Sequence, residues 1–578
     1  MLHFTTRHAD DAWLKRIQTK LAIRSTHQET FSKIFGLMRT RRLARIALTN
    51  VLNNTGASTA GVDGKSWSDY ESLKSRLNLV EEIISEIRSK RVQPQPVRRV
   101  YIPKANGKMR PLGIPTIKDR TIQEMLRLIL DPIYEAKFYN HSYGFRRHRS
   151  THHAVSRLWS LHGRHKFDWA VEGDIKACFD EIDHVKLLRI LRKVIRDERV
   201  IRLISKMLKA GVIDYETGET TYPKQGTPQG GIISPLLANI FLNELDQYIA
   251  EMYDNHSWYQ RSKRPKRFIV RYADDFVIAC SSEVDTAAIK DDVTIFLREM
   301  GLELSSEKTL ITHIQNGYDF LGFNIRRFGE RVFAQPSKDK LKKFKRAYKE
   351  RLKMAIHKYG VSPQAISYVN SLVRGWGYYY RWFSSKRALR NAAHYIWWEN
   401  LRLARKLVKA PGRKNNGRRG YLKYFIPRKF SNYRSDRKYE QRQFGVWTEP
   451  GKAADLICSL DLIPIKYVRF HSQLNPYLPG EIEKLMKLSK ENPAEDLLKE
   501  MYPAIPSGYG AGWAATRRKV LKRDKYRCTV CGKKSNLHVH HVRAKVGTPM
   551  AENLDNLTTL CQKCHQEKHS ELRSLKTF

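Results

Sequence analysis

Tyr272-Ala273-Asp274-Asp275 lies between two apolar runs, Phe268-Ile269-Val270 and Phe276-Val277-Ile278-Ala279. The pattern predicts strand, tight turn, strand. Two adjacent carboxylates at a hairpin tip repel each other, and a divalent cation would relieve that repulsion. Mg²⁺ is held through one or two carboxylates, with substrate phosphates completing its octahedron. Taken alone, an Asp-Asp pair reads more simply as a solvated turn. Further segments shift the balance. Residues 170–174 predict a strand ending at Asp174, followed by a turn through Cys178, Phe179 and Asp180. A carboxylate from such a neighbouring strand would complete a site for two ions about 3.5–4 Å apart, which stabilise the attacking and leaving oxygens of an in-line phosphoryl displacement. Gln225-Gly226-Thr227-Pro228-Gln229-Gly230-Gly231 then precedes a helix-like stretch, 232–239. Glycines let backbone approach a ligand closely, and the N-terminus of the following helix favours anions.

The cysteines carry a second chemistry. Cys528-Thr-Val-Cys531 and Cys561-Gln-Lys-Cys564 are two CxxC pairs. Four thiolates at this spacing suit one tetrahedral Zn²⁺, which would fold a segment too small for a core of its own. Cys178, Cys280 and Cys458 stand singly in apolar surroundings and read as buried thiols. Nothing suggests a disulfide framework, so a reducing compartment is expected.

The elements that must position these groups sit in 578 residues with a formal net charge of +48. A charge this large implies a polyanionic partner, and nucleic acid is the leading candidate. A basic membrane-surface protein is the alternative, but no lipidation signal, no 18-residue apolar run and no secretory leader is present in the sequence, so no membrane association is expected. Residues 1–90 predict helices, and 90–335 alternate strands, helices and glycine turns in the α/β manner. Residues 336–450 hold 30 Lys and Arg against 6 Asp and Glu, a net of +24. Trp376, Tyr378, Tyr379, Tyr380, Trp382, Phe383, Tyr395, Trp397 and Trp398 interleave with that charge. An amphipathic bundle would use them as core. A surface that follows a phosphate backbone would use them to stack bases, and nucleic-acid contact is expected here. Residues 411–420 read as a flexible basic loop, and Ser507-Gly508-Tyr509-Gly510-Ala511-Gly512 as a hinge.

Seven collinear blocks resemble the reverse transcriptases encoded by group II introns: the YADD hairpin, Asp174 to Phe179, the PQGG and SPLLAN stretch, Arg110-Pro-Leu-Gly-Ile-Pro115 with Gln123, Ser142-Tyr-Gly-Phe-Arg146, Gly301-Leu-Glu-Leu-Ser-Ser-Glu-Lys308, and Phe320-Leu-Gly-Phe323. The resemblance implies that Asp174, Asp274 and Asp275 hold two Mg²⁺ ions. It makes Phe179 a steric gate that excludes a ribose 2′-OH, and Gln229 and Gly230 contacts of the incoming nucleotide or template. Arg110 and Lys308 are expected to contact phosphates. The stretch from Ser371 to Tyr380, followed by Ser384-Ser-Lys-Arg387, resembles the family's thumb and maturase region, although a His-Pro element expected between about 400 and 425 is absent.

The tail resembles an HNH endonuclease of the ββα-metal kind, through His538-Val-His540-His541, Asn553-Leu-Asp-Asn556, His565 and His569. By that pattern His541 is the general base, His540, His565 and His569 hold a catalytic Mg²⁺ or Mn²⁺, and Asn556 orients the His541 loop. An imidazole titrates near working pH, which suits a base.

The expected fold is therefore multidomain α/β: a right-hand fingers and palm polymerase (1–335), an α-helical thumb and maturase domain (336–425), a DNA-binding region (426–505) and a small ββα-metal HNH zinc module (510–578). The resemblance implies an RNA-directed DNA polymerase, splicing cofactor and DNA endonuclease that supports intron mobility. Its partners would be the parent intron RNA, double-stranded target DNA and dNTPs, with monomer or homodimer left open. A bacterial cytoplasm, near the nucleoid, is expected rather than an organelle. The rivals are a purely RNA-binding maturase and an intron-independent or domesticated reverse transcriptase.

Overall fold

The computed structural model describes residues 7–458 apart from 104–106, 108, 216, 228–229, 258–259, 262–263, 306, 409–415, 433–434 and 450–452, and beyond them 460, 473–490, 520–524, 526–533, 537–541, 557–561 and 564. Residues 7–89 are mostly helical. The helices Arg7–Thr26, Arg41–Asn53 and Leu73–Ser89 pack around the helix Ile117–Glu135. Apolar residues three and four apart build the shared face, among them Leu43, Ala47 and Val51 on one helix and Val80, Ile83, Ile84 and Ile87 on the next. The central helix is buried along almost its whole length, so its charged groups are paired. Arg127 binds Glu124, and the Arg120 guanidinium donates to the carbonyls of Pro115, Gly56 and Thr59.

Strands β1 (Val97–Pro103) and β2 (Met109–Ile114) form an antiparallel hairpin. β3 (Trp169–Asp174) enters the centre of the molecule. The chain then returns to the first hairpin through the short strands β4 (Val212–Ile213) and β5 (Thr220–Thr221). After the helix Ser234–Met252 come β6 (Arg267–Tyr272), β7 (Asp275–Cys280), the helix Glu283–Met300 and β8 (Leu310–His313). β3, β6, β7 and β8 make a four-stranded antiparallel sheet in the order β6-β7-β3-β8.

This sheet separates two hydrophobic cores, which explains its unbroken apolar runs. Ile269, Phe276 and Ile278 face the core shared with the N-terminal helices, while Phe268, Val270, Val277 and Ala279 face the other. The alternation has the strand period of two, and both faces are covered. Ser282 caps the helix Glu283–Met300 by accepting from Asp285 N, and Gly301 ends it at φ 82°.

β9 (Tyr318–Phe320), β10 (Phe323–Phe328) and β11 (Arg331–Pro336) form a small antiparallel sheet leading into the helices Lys338–Tyr359, Pro363–Tyr380 and Lys386–Leu407. Here the base-stacking reading of the aromatics needs correction. Tyr380 and Phe383 are buried, Trp376 stacks on Phe344, and Tyr378, Tyr379, Trp382, Tyr395 and Trp397 pack against the core. Trp398 alone of this group is exposed, at 41%. The amphipathic period put the rings inside and left the lysines and arginines as the surface. The loop expected over 411–420 is corrected from 416 onward, where Asn416–Tyr424 is a helix that packs on Lys386–Leu407, while 411–415 lie outside the described residues. Three antiparallel strands follow, β12 (Phe425–Asn432), β13 (Ser435–Glu449) and β14 (Ala453–Leu456). Cys178, Cys280 and Cys458 are buried free thiols, as expected.

A later segment returns to the N-terminal part of the chain. The Tyr477 hydroxyl donates to Asp131 across 346 residues at 2.6 Å, Thr19 Oγ1 donates to the Tyr477 carbonyl, and Arg147 lies over the Tyr477 ring. The described C-terminal tail holds a two-stranded antiparallel ladder, β15 (Leu537–His541) with β16 (Leu557–Cys561). The hinge expected at 507–512 lies outside the described residues. Among the described residues no helix is long and apolar enough to cross a membrane.

Candidate active site and metal centres

The β6–β7 hairpin closes at Tyr272 opposite Asp275, leaving Ala273 and Asp274 as the two turn residues. Ala273 takes a φ of 59°, the left-handed sense that two-residue hairpins favour. β3 pairs with β7 so that Asp174 stands directly across from Asp275. Opposed residues of antiparallel strands have Cα atoms about 4.5–5.5 Å apart. The three carboxylates therefore share one end of the sheet, as expected.

Their electrostatics show the crowding. Partial desolvation in the cleft, followed by the charges of Asp274 and Asp174, pushes the Asp275 carboxyl up to about 6, against the pull of Lys308. Desolvation also raises Asp274, and the Asp174 charge adds to it while Arg110 and Arg271 oppose it. A cluster of crowded carboxylates, built of hard oxygen donors, fits divalent magnesium. Lys308 is held beside the carboxylates by an ion pair. Its Nζ lies 2.9 Å from Asp174 Oδ2, and that bond raises its own pKa. Arg110, exposed on β2, is near enough for its charge to act on Asp274.

A buried network that the sequence reading did not single out holds the turn. Arg271 is fully buried and forms a two-pronged ion pair with Asp246, with Nε 2.8 Å from Oδ1. Its Nη1 donates to the Ala273 carbonyl at 2.8 Å and to Asn239 Oδ1 at 3.0 Å. Asn239 Nδ2 in turn donates to the Gly144 carbonyl. A signal was present: Asn239 and Asp246 are polar residues seven apart on a helix whose neighbours are buried and apolar. Gly144 lies against the turn so closely that a Cβ there would sit 2.3 Å from Ala273 N. Gly144→Ala is therefore expected to push the turn aside, at a cost on the order of 1–3 kcal/mol. Primer-extension rate should fall while RNA affinity, read by filter binding, is kept.

Phe179 sits half-buried in the short helix Cys178–Glu181, which starts after Ala177 at φ 44°. The glycine loop folds onto this turn. Thr227 N donates to the Phe179 carbonyl, Gly226 N to the Ile182 carbonyl, and a Cβ at Gly230 would meet the Gly113 carbonyl of β2 at 2.5 Å. Gln123 Oε1 accepts from Ile232 N and ties the loop to the central helix. Phe179, Gly230 and β2 are thus drawn together beside the carboxylates. Gln229 lies outside the described residues.

At the other end of the chain the Sγ atoms of Cys528, Cys531, Cys561 and Cys564 all lie within 4.8 Å of one another. Three of these residues are buried and Cys531 is exposed. Such a soft thiol donor set fits one structural zinc. The adjoining apolar cluster is small, Val520, Leu521, Val539 and Leu557. We expect one zinc per chain by metal analysis. Stripping it with a chelator, or Cys531→Ser, should open residues 520–578 to protease while primer extension persists. His540 is buried on β15, and His541 is the last residue of that strand. The His541 side chain, Asn556, His565 and His569 lie outside the described residues.

Comparison with known proteins follows this layout. Residues 102–325 match the reverse transcriptase (RNA-dependent DNA polymerase) family, 341–425 the group II intron maturase-specific domain, and 528–571 the HNH endonuclease family. The group II intron-encoded protein LtrA of Lactococcus lactis is 36% identical over 351 residues, covering 52% of this chain and 57% of that protein. Protein YkfC of Escherichia coli is 39% identical over 325 residues, covering 51% of this chain and 84% of its own length. An uncharacterized 91 kDa protein in the cob intron of Schizosaccharomyces pombe is 33% identical over 335 residues, covering 49% and 40% respectively. The chain thus spans little more than half the length of LtrA.

Proposed function

The chain belongs to the group II intron-encoded reverse transcriptases and maturases that carry an HNH endonuclease domain, and from that premise we propose that it copies RNA into DNA, supports splicing of its parent intron RNA, and cuts one strand of a double-stranded DNA target to supply the primer. The observation that carries the reading is the pairing of Asp174 with Asp275 beside Asp274. Two bound Mg²⁺ ions would supply charge neutralisation at the attacking and leaving oxygens. Asp174, Asp274 and Asp275 would hold them. Arg110 and Lys308 would add positive charge for dNTP phosphates, Phe179 would close the sugar side against a 2′-OH, and Gln229 and Gly230 would contact the incoming nucleotide or template. In the tail His541 would take the proton from water, His540, His565 and His569 would hold a Mg²⁺ or Mn²⁺, and Asn556 would orient the His541 loop. Residues 426–505 are assigned to target DNA, and a bacterial cytoplasm is the proposed location.

The three intact carboxylates favour this reading over a maturase that only binds RNA. The test is primer extension on an RNA template by the purified protein, with sequencing of the RNA that co-purifies. Mg²⁺-dependent cDNA together with a bound structured intron supports the whole reading. cDNA without intron RNA would favour an intron-independent reverse transcriptase, and no cDNA would remove the polymerase.

The basic helices should show in the salt dependence. Lys342, Lys349 and Lys353 are exposed on the helix Lys338–Tyr359. Changing all three to glutamine should flatten the slope of log affinity against log salt by about 0.7 for each lysine that meets an RNA phosphate. An unchanged slope would mark them as merely solvated.

A further inference from the structure

Phe145 is a large apolar side chain, 57% exposed, on a backbone with φ 57°. A bulky non-glycine residue in the left-handed region is an outlier that persists only where its surroundings over-determine it. They do so here. Arg146 is buried and makes a two-pronged ion pair with Glu135 at 3.0 and 2.8 Å, and it also donates to the carbonyls of Tyr139 and Ser142. On the other side Gly144 is pressed against Ala273, and its carbonyl is held by Asn239. The backbone is clamped at both neighbours of Phe145, and the ring it displays stays out of both cores.

The ring nevertheless has a partner. Phe145 and Phe179 meet edge to face, with centroids 6.3 Å apart and planes at 86°. Phe179 is itself carried on a turn that starts from the left-handed residue Ala177. Two unfavourable backbone positions, Phe145 and Ala177, 32 residues apart in sequence, thus bring two aromatic rings together next to the catalytic turn. Burial does not account for it, because Phe145 is mostly uncovered.

We propose that Phe145 is a specificity-determining residue that braces the Phe179 ring at the sugar pocket, so that discrimination against ribonucleotides depends on the pair rather than on Phe179 alone. The inference rests on Phe179 acting as the sugar gate. With the Phe145 edge in place, Phe179 has little room to tilt away from a 2′-hydroxyl. Without it, the gate ring loses its support on that side, and the pocket widens.

The experiment measures kcat/KM for dNTP and rNTP incorporation by the full-length protein on an RNA template. Phe179→Ala should collapse the dNTP preference. Phe145→Ala should lower it about three- to tenfold, the range an aromatic edge contact supports. Phe145→Tyr, which keeps the ring, should retain it. The double variant should match Phe179→Ala alone, because both act through one ring. A Phe145→Ala preference within twofold of the parent, with Phe179→Ala collapsed, would overturn the inference and leave the gate standing. An unchanged preference in Phe179→Ala would remove the gate reading and this inference with it. If Phe145→Ala does not fold, Phe145→Leu against Phe145→Tyr decides: leucine keeps apolar bulk without a flat edge, so equal preferences in those two variants would overturn the brace.

Discussion

Asp274→Asn should abolish primer extension on an RNA template while leaving RNA binding intact. The substitution keeps the size of the side chain and removes its charge from a cluster where each carboxylate is a candidate metal donor. Losing an outer partner of a metal ligand typically costs 10–100-fold. Losing a ligand itself is expected to cost more, so a drop of at least about a hundredfold in single-turnover rate is the expected result. A rate within threefold of the parent would remove Asp274 from the machinery. The matching change at Asp275, expected to be equally inactive, carries a stability signature of opposite sign. Desolvation raises the Asp274 and Asp275 carboxyls in the fold, Asp275 to about 6. A carboxyl whose folded pKa lies above its unfolded one destabilises the metal-free protein as pH rises from the unfolded value toward the folded one. Asp275→Asn should therefore melt no lower than the parent in EDTA at neutral pH, although it is inactive. A lower melting temperature would mean that the carboxylate is structural.

Arg271 offers the second large effect. It is fully buried together with Asp246. Removing one partner of such a pair strands the other charge and costs about 3–5 kcal/mol. Arg271→Ala should accordingly lose soluble, folded protein. Arg271→Lys is the more informative change. It keeps the charge but cannot reach Asp246, Asn239 and the Ala273 carbonyl at once, because an ammonium lacks the planar fork. We expect folded protein whose primer extension is slower by about a hundredfold, the scale at which a misplacement near 1 Å acts. Activity within threefold of the parent would show that the turn holds its shape without the guanidinium.

Much of this was legible beforehand because local chemistry and global position agreed. The apolar runs around Asp274 and Asp275 could only be strands, and their two-residue turn fixed the hairpin. The four cysteines announced their convergence through spacing alone. The thumb aromatics were misjudged for a physical reason: rings beside lysines suit a core and a stacking surface equally, and helical phase decides between them. The helix Asn416–Tyr424 was hidden by its glycines and arginines, since its stability comes from packing on Lys386–Leu407. Phe145 and Arg271 were written in the sequence as ordinary members of their blocks. Their meaning depends on which distant residues the fold brings to them, and no periodicity records that.

The Tyr477 contact with Asp131 has a geometric corollary. Tyr477 and Val520 are 43 residues apart. Ten of those residues form the helix Glu481–Lys490, so at about 1.5 Å per helical residue and no more than about 3.6 Å for the others that length of chain reaches roughly 130 Å at most. The tail that matches the HNH family therefore follows a segment anchored on the helix Ile117–Glu135. On the proposed reading, the phosphodiester to be cut and the 3′ end to be extended would have to fall within that length of chain of each other.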